Sequence, residues 1–137
     1  MEFQEMDDPL FTDSQGRQWS LAIDLAKAKK MANAGVSIVG SQWMANVEKV
    51  DTDDSAFLSV LETLLDDQAA RRGLTAEEAI EQFSLADAEA ARQAFHKAVL
   101  CFFCGTDRKE KYELLYQRNK EFRERLEKEM FDVMEQG

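Results

Sequence analysis

The chain has 137 residues, 45% of them apolar and 32% charged, with a formal net charge of −10. That is the size and composition of one globular domain with one core, and no run of eighteen apolar residues is present to cross a membrane. Two closely spaced cysteines give no disulfide framework and suit a reducing cytosol, so a cytoplasmic location is expected. The opening "MEFQEMDDPL" is acidic and lacks the basic and apolar regions of a secretory leader. Residues 1–106 carry 9 basic and 18 acidic side chains, whereas residues 107–137 carry 8 and 9. No segment forms a basic patch, which argues against nucleic acid and anionic lipid as partners and leaves a protein surface as the better one.

Residues 1–9 are expected to be flexible. Residues 10–23, "LFTDSQGRQWSLAI", read as a β-hairpin: Leu10, Phe11, Trp19, Leu21 and Ile23 are strand formers, and "DSQG" between them is a turn cluster with Gly16 able to take positive φ. Residues 24–106 are expected to form a helical core. Asp24 caps a first helix that runs to about Ala34, with Gly35 at its C′ position. "VSIVG" fits a strand or an extra helical turn, and residues 41–50 read as helical. Phe57, Leu58, Leu61, Leu64 and Leu65 then repeat at helical spacing up to a stop at Gly73. Thr75 and Glu78 form a capping box that opens a short helix ending near Phe83. Ser84 caps the next, with Leu85, Ala88, Ala91, Phe95, Val99, Phe102 and Phe103 on its inner side and Gly105 closing it. Residues 107–137 form a last helix, densely charged with both signs, whose apolar positions Tyr112, Leu115, Phe122, Leu126, Met130 and Val133 lie roughly along one stripe. The fold class expected is therefore a mainly α single domain, with an N-terminal β-hairpin, a helical bundle and a long charged C-terminal helix.

The stretch "AFHKAVLCFFCGTD" raises the question of a metal or redox centre. Structural zinc needs four ligands and catalytic zinc three, while the chain offers Cys101, Cys104 and a single histidine, His96. A five-residue step along a helix separates His96 from Cys101 by about 500°, so the two do not share a face. The cysteines fall at the end of a predicted helix, where the dipole raises a thiol pKa, and the two intervening phenylalanines point to burial in the core. His96 is expected to be exposed or half-exposed. "DTDDSAFLSVLE" sets Asp51, Asp53, Ser55 and Glu62 at positions 1, 3, 5 and 12 of a calcium loop. Ala56 stands where such a loop needs glycine, and an L-residue forced left-handed there costs about 1–2 kcal/mol. Capping of a helix by Asp51, Thr52 or Asp53 is the alternative. No nucleophile–base arrangement, phosphate loop or zinc motif is present, so neither catalysis nor a cofactor is expected.

The order of elements resembles the phage-tail-assembly-chaperone-like proteins of prophages and some bacterial genomes. Phe11, Thr12, Asp13, Gly16, Arg17, Trp19, Leu21, Ile23, Lys29, Lys30, Gly35 and Val36 carry the opening block. "FLSVLETLLDDQAARRGLTAEEAIEQF" is similar to the family's next block, and "CFFCGTDRKE" takes the place of a Phe-Phe followed by a basic helix. The likeness spans roughly residues 10–115 and departs at Cys101, Cys104 and Gly105, the last standing where a proline is more typical. It implies a small non-enzymatic protein that binds the helical tape measure protein during tail assembly. Phe122, Leu126, Met130, Phe131 and Met134 are the candidate contact residues, on a helix-in-groove mode of binding. Burial of these five by folding back of the last helix is slightly favoured over their exposure. The spacing of the stripe also permits a homo-oligomer. An acidic cytosolic adaptor and a calcium-binding protein are the other readings.

Overall fold

In a computed structural model, which describes residues 8–136, the hairpin pairs β1 (Leu10–Thr12) with β2 (Gln18–Ser20) antiparallel, Phe11 facing Trp19. The expectation of flexibility falls largely on residues 1–7, outside the described residues. Pro9 is buried, and its carbonyl accepts the amide of Leu21 at 2.8 Å.

The turn is built around Asp13. Its backbone amide donates to the Arg17 carbonyl, and Gly16 closes the loop at φ 81°, a conformation that suits a residue without Cβ. The Asp13 carboxylate accepts from the amides of Gln15 and Arg17, from Arg17 Nε at 2.8 Å and from the indole of Trp19 at 2.9 Å. β2 stops three residues earlier than the alternation of Trp19, Leu21 and Ile23 implies. The side chain of Gln68, on a helix, takes over there: its amide donates to the Ser20 carbonyl and its oxygen accepts the Ser20 amide, both at 2.8 Å. A side-chain amide thereby completes the hydrogen bonding that a third strand would have supplied.

Six helices follow. They are α1 (Leu25–Asn33), α2 (Trp43–Thr52), α3 (Asp54–Arg71), α4 (Ala76–Glu81), α5 (Leu85–Phe102) and α6 (Arg108–Gln136). The caps are those the sequence predicts. Asp24 accepts from Lys27, Asp53 from Ser55, and Thr75–Glu78 and Ser84–Asp87 each form a reciprocal box. Asp87 also accepts from the amide and hydroxyl of Ser14, which ties the hairpin loop to the start of α5. Residues 36–40, open between strand and helix in the sequence, are neither. They form an irregular segment that buries Val36 and Ile38, braced by Asn46 Nδ2 on the Ser37 carbonyl at 2.7 Å.

One core joins all of these elements. Trp19, Leu21, Met31, Ile38, Val60, Leu61, Leu65, Val99 and Phe103 are at its centre, and Phe83 packs edge-on against both Phe11 and Trp19. Three expected inner positions are outside it, Ala88 among them. Leu58 is 40% exposed and Leu85 77% exposed. Leu85 is the first residue of α5 and points away from Ser84 and Asp87, which hold the hairpin loop, and Leu58 lies beside the buried arc of α3 formed by Phe57, Leu61 and Leu64. The molecule is thus mainly α, as composition and periodicity imply, and among the described residues no helix is long and apolar enough to cross a membrane.

Candidate partner-binding helix

α6 begins after a turn at Gly105, whose φ of 85° redirects the chain out of α5. Thr106 Oγ1 donates to the Phe103 carbonyl at 2.7 Å and accepts the Arg108 amide at 3.2 Å. Arg108 then reaches back across the bundle. Its guanidinium donates to the Ile38 carbonyl at 3.0 Å and lies over the Trp43 ring at 5.3 Å. The next two turns bury Tyr112 and Leu115, with Phe103 edge-on to both Trp43 and Tyr112.

Polar contacts fasten the middle of the helix. Tyr116 stacks on His96 with ring centroids 3.6 Å apart, and the Tyr112 hydroxyl shares a 3.0 Å hydrogen bond with His96 Nδ1. Asn119 Nδ2 and Arg123 Nη1 both donate to Asp51 Oδ2, at 3.3 and 2.8 Å. Among the residues whose burial is described, Arg123 is the last half-buried one. From residue 124 to residue 134 every side chain is exposed, and residues 124–136 extend about 20 Å at the α-helical rise.

The five residues read from the sequence as partner contacts are therefore not buried by folding back. Phe122 is 52% exposed, Leu126 43%, Met130 65%, Phe131 67% and Met134 74%. At about 100° per residue, Phe122, Val133, Leu126, Met130 and Met134 fall within an arc of about 120°. Phe131 lies on the far side from Phe122, while Val133, also exposed, belongs to the stripe. The spacing 122, 126, 130, 133 could have identified Val133 as a contact residue from the sequence. A cleft of about 470 Å³ continues the stripe onto the body of the molecule, lined by Asp51, Arg92, Tyr116, Phe122, Arg123 and Leu126.

The acidic segment read as a possible calcium loop has another geometry. Asp51 is in the last turn of α2, Asp53 is the N-cap of α3, and Ser55 and Glu62 are on the continuous helix that starts at Asp54. Asp51 instead clamps α6, and Asp54 accepts from Arg92 at 2.7 Å. The clamp has no sequence signal, because its partners lie 68 and 72 residues away.

The cysteines are a correction. Cys101 and Cys104 are exposed, not core. They share one face of the last turn of α5 and its continuation, and Phe103 alone turns inward, with Phe102 half-buried. Partial desolvation of the sulfur and the neighbouring Cys104 push the Cys101 thiol up, away from the thiolate that reactive cysteines need. Among the described residues no group of three His, Cys, Asp or Glu side chains is placed to hold a metal.

His96 is half-buried, as expected, but not without a partner. The space beside its ring is about 20 Å³, room for a single water, so the ring acts as a docking plate for α6. Burial lowers its pKa to about 4, with Lys120 and Lys97 adding to the effect and Asp51 opposing it. A histidine depressed in the folded state binds a proton more readily when unfolded. Its contribution is therefore complete above the unfolded value of 6.5 and is lost as pH falls towards about 4. Urea melts at stepped pH are expected to show stability falling across that window, with a shallower slope for His96→Phe. An equal slope in both proteins would contradict the assignment.

Comparison with protein-family models, curated proteins and solved structures returns no match.

Proposed function

We propose that this chain is a non-enzymatic binding protein of the tail-assembly-chaperone kind, which works in the cytoplasm and shields an amphipathic helical segment of a partner such as a tape measure protein. The observation that carries the reading is the C-terminal end of α6: four aliphatic or thioether side chains and a phenylalanine along one face, all of them exposed. An unassembled tape measure protein is a long helical chain with apolar stripes of its own, and a second stripe beside it removes both from water. Methionines at residues 130 and 134 adapt to more than one register of such a chain. The net charge of −10 favours a basic partner segment.

A gene for a tape measure or major tail protein is expected beside this one, and its purified helical segment is the probe. Wild-type protein immobilised on a sensor should retain that segment. Leu126→Glu should weaken retention by about tenfold or more, because a carboxylate in the middle of an apolar seam is desolvated without a partner. The same substitution should change unfolding free energy by no more than about 0.5 kcal/mol, since the site is exposed. Equal retention by wild type and Leu126→Glu, or a gene context with no tail protein, would overturn the reading.

A further inference from the structure

The charges of α6 are segregated along its length. Residues 118–125 carry Arg118, Lys120, Arg123 and Arg125 against Glu121 and Glu124, whereas residues 126–134 carry Glu127, Glu129 and Asp132 against Lys128. The last turn of α6 holds no basic residue, although the helix dipole favours one there. Pairs at i,i+4, such as Glu121 with Arg125 and Glu124 with Lys128, support the helix itself, and a second helix accounts for the segregation of the charges along it. Laid antiparallel, two copies of the segment place basic against acidic and oppose their dipoles. Laid parallel, they place like against like.

We infer that the free end of α6 pairs antiparallel with the same segment of a second copy of this chain. The apolar positions agree with the charges. A seam centred between Glu127 and Lys128 sets Phe122 against Val133 of the second copy and Leu126 between its Glu129 and Met130, the Glu129 carboxylate reaching out along the edge of the seam. Arg125 and Asp132, which flank this seam, then approach each other across it, once from each side of the two-fold axis. Arg125 already lies over the Phe122 ring at 5.8 Å, next to the seam it would border. The cleft beside Tyr116 and Phe122 stands where Val133 and Met134 of the second copy arrive, which makes it continuous with the interface. The paired state covers the stripe until a partner helix displaces the second copy.

Sedimentation equilibrium of the pure full chain, over micromolar concentrations, tests this without any foreign partner. The wild type should approach twice the 15.7 kDa chain mass. Asp132→Arg should weaken the dimer by about tenfold, because it sets Arg125 against a like charge. The charge swap Arg125→Asp with Asp132→Arg should restore wild-type association, an outcome that only self-pairing in this register produces. Leu126→Glu should be monomeric. Circular dichroism of each variant should match the wild type, since all of these positions are exposed. A wild type that stays monomeric, an Asp132→Arg protein that still dimerises fully, or a charge swap no better than the single change would overturn the inference. Failure of tape-measure binding leaves this result standing, and a monomeric wild type leaves that binding standing.

Discussion

Replacing Trp19 by alanine should lower the unfolding free energy by about 3–5 kcal/mol, the largest single-residue effect expected in this chain. Trp19 has no exposed surface. Its ring meets Phe83 edge-on at 6.0 Å and lies beneath the Arg72 guanidinium at 4.4 Å. Alanine there leaves a cavity the size of an indole under a two-stranded hairpin whose strands have only three residues each, too short to hold together unsupported. It also removes the indole donor from Asp13. Burial raises the Asp13 pKa, but the Trp19 indole, the Arg17 amide and side chain and the Gln15 amide together outweigh it and leave the carboxyl below 3.8. The stability this confers is present above 3.8 and is lost as pH falls below it, so the loss on Trp19→Ala should be smaller in strong acid. Thermal unfolding at neutral pH should fall by on the order of 10 °C. A fall of only a degree or two would mean the hairpin is not part of the cooperative unit.

Phe103→Ala should cost about 3–4 kcal/mol and, unlike the first substitution, should act on α6. Phe103 is 2% exposed and fills the junction of α2, α5 and α6 between Trp43, at 5.0 Å, and Tyr112, at 6.2 Å. Without it the burial of Tyr112 fails, and with it the platform on which His96, Tyr116 and the Asp51 clamp align α6. Amide hydrogen exchange along residues 108–123 should accelerate more than exchange in the hairpin does. Phe103→Leu, which keeps most of the volume, should cost less than about 1.5 kcal/mol and leave exchange near wild type. Uniform acceleration over the whole chain in Phe103→Ala would show that α6 is not separately anchored by this ring.

Most helix boundaries were legible because they are written locally. Asp24, Thr75 with Glu78, and Ser84 each satisfy backbone amides within four residues, so their patterns identify helix starts before any tertiary contact exists. The stripe of α6 was legible for the same reason, as a spacing. Errors arose where distant residues decide. The cysteine pair looked buried because two phenylalanines stood between its members, yet consecutive helical residues point about 100° apart, and only Phe103 met the α2 surface. Leu58 and Leu85 looked internal because apolarity marks a candidate face without showing how wide the opposing surface is.

The sequence by itself determined the helix starts and stops, the hairpin turn around Asp13 and Gly16, and the mainly α class, since capping, turn chemistry and periodicity act over a few residues. Tertiary structure alone decided that Gln68 completes the edge of β2, that Asp51 clamps α6 instead of opening a calcium loop, and that the last turns of α6 stay uncovered. The physical reason is the same in each case. A hydrogen bond or an apolar contact between residues 48 to 72 positions apart depends on where the bundle brings the chain back, and no local pattern encodes that return.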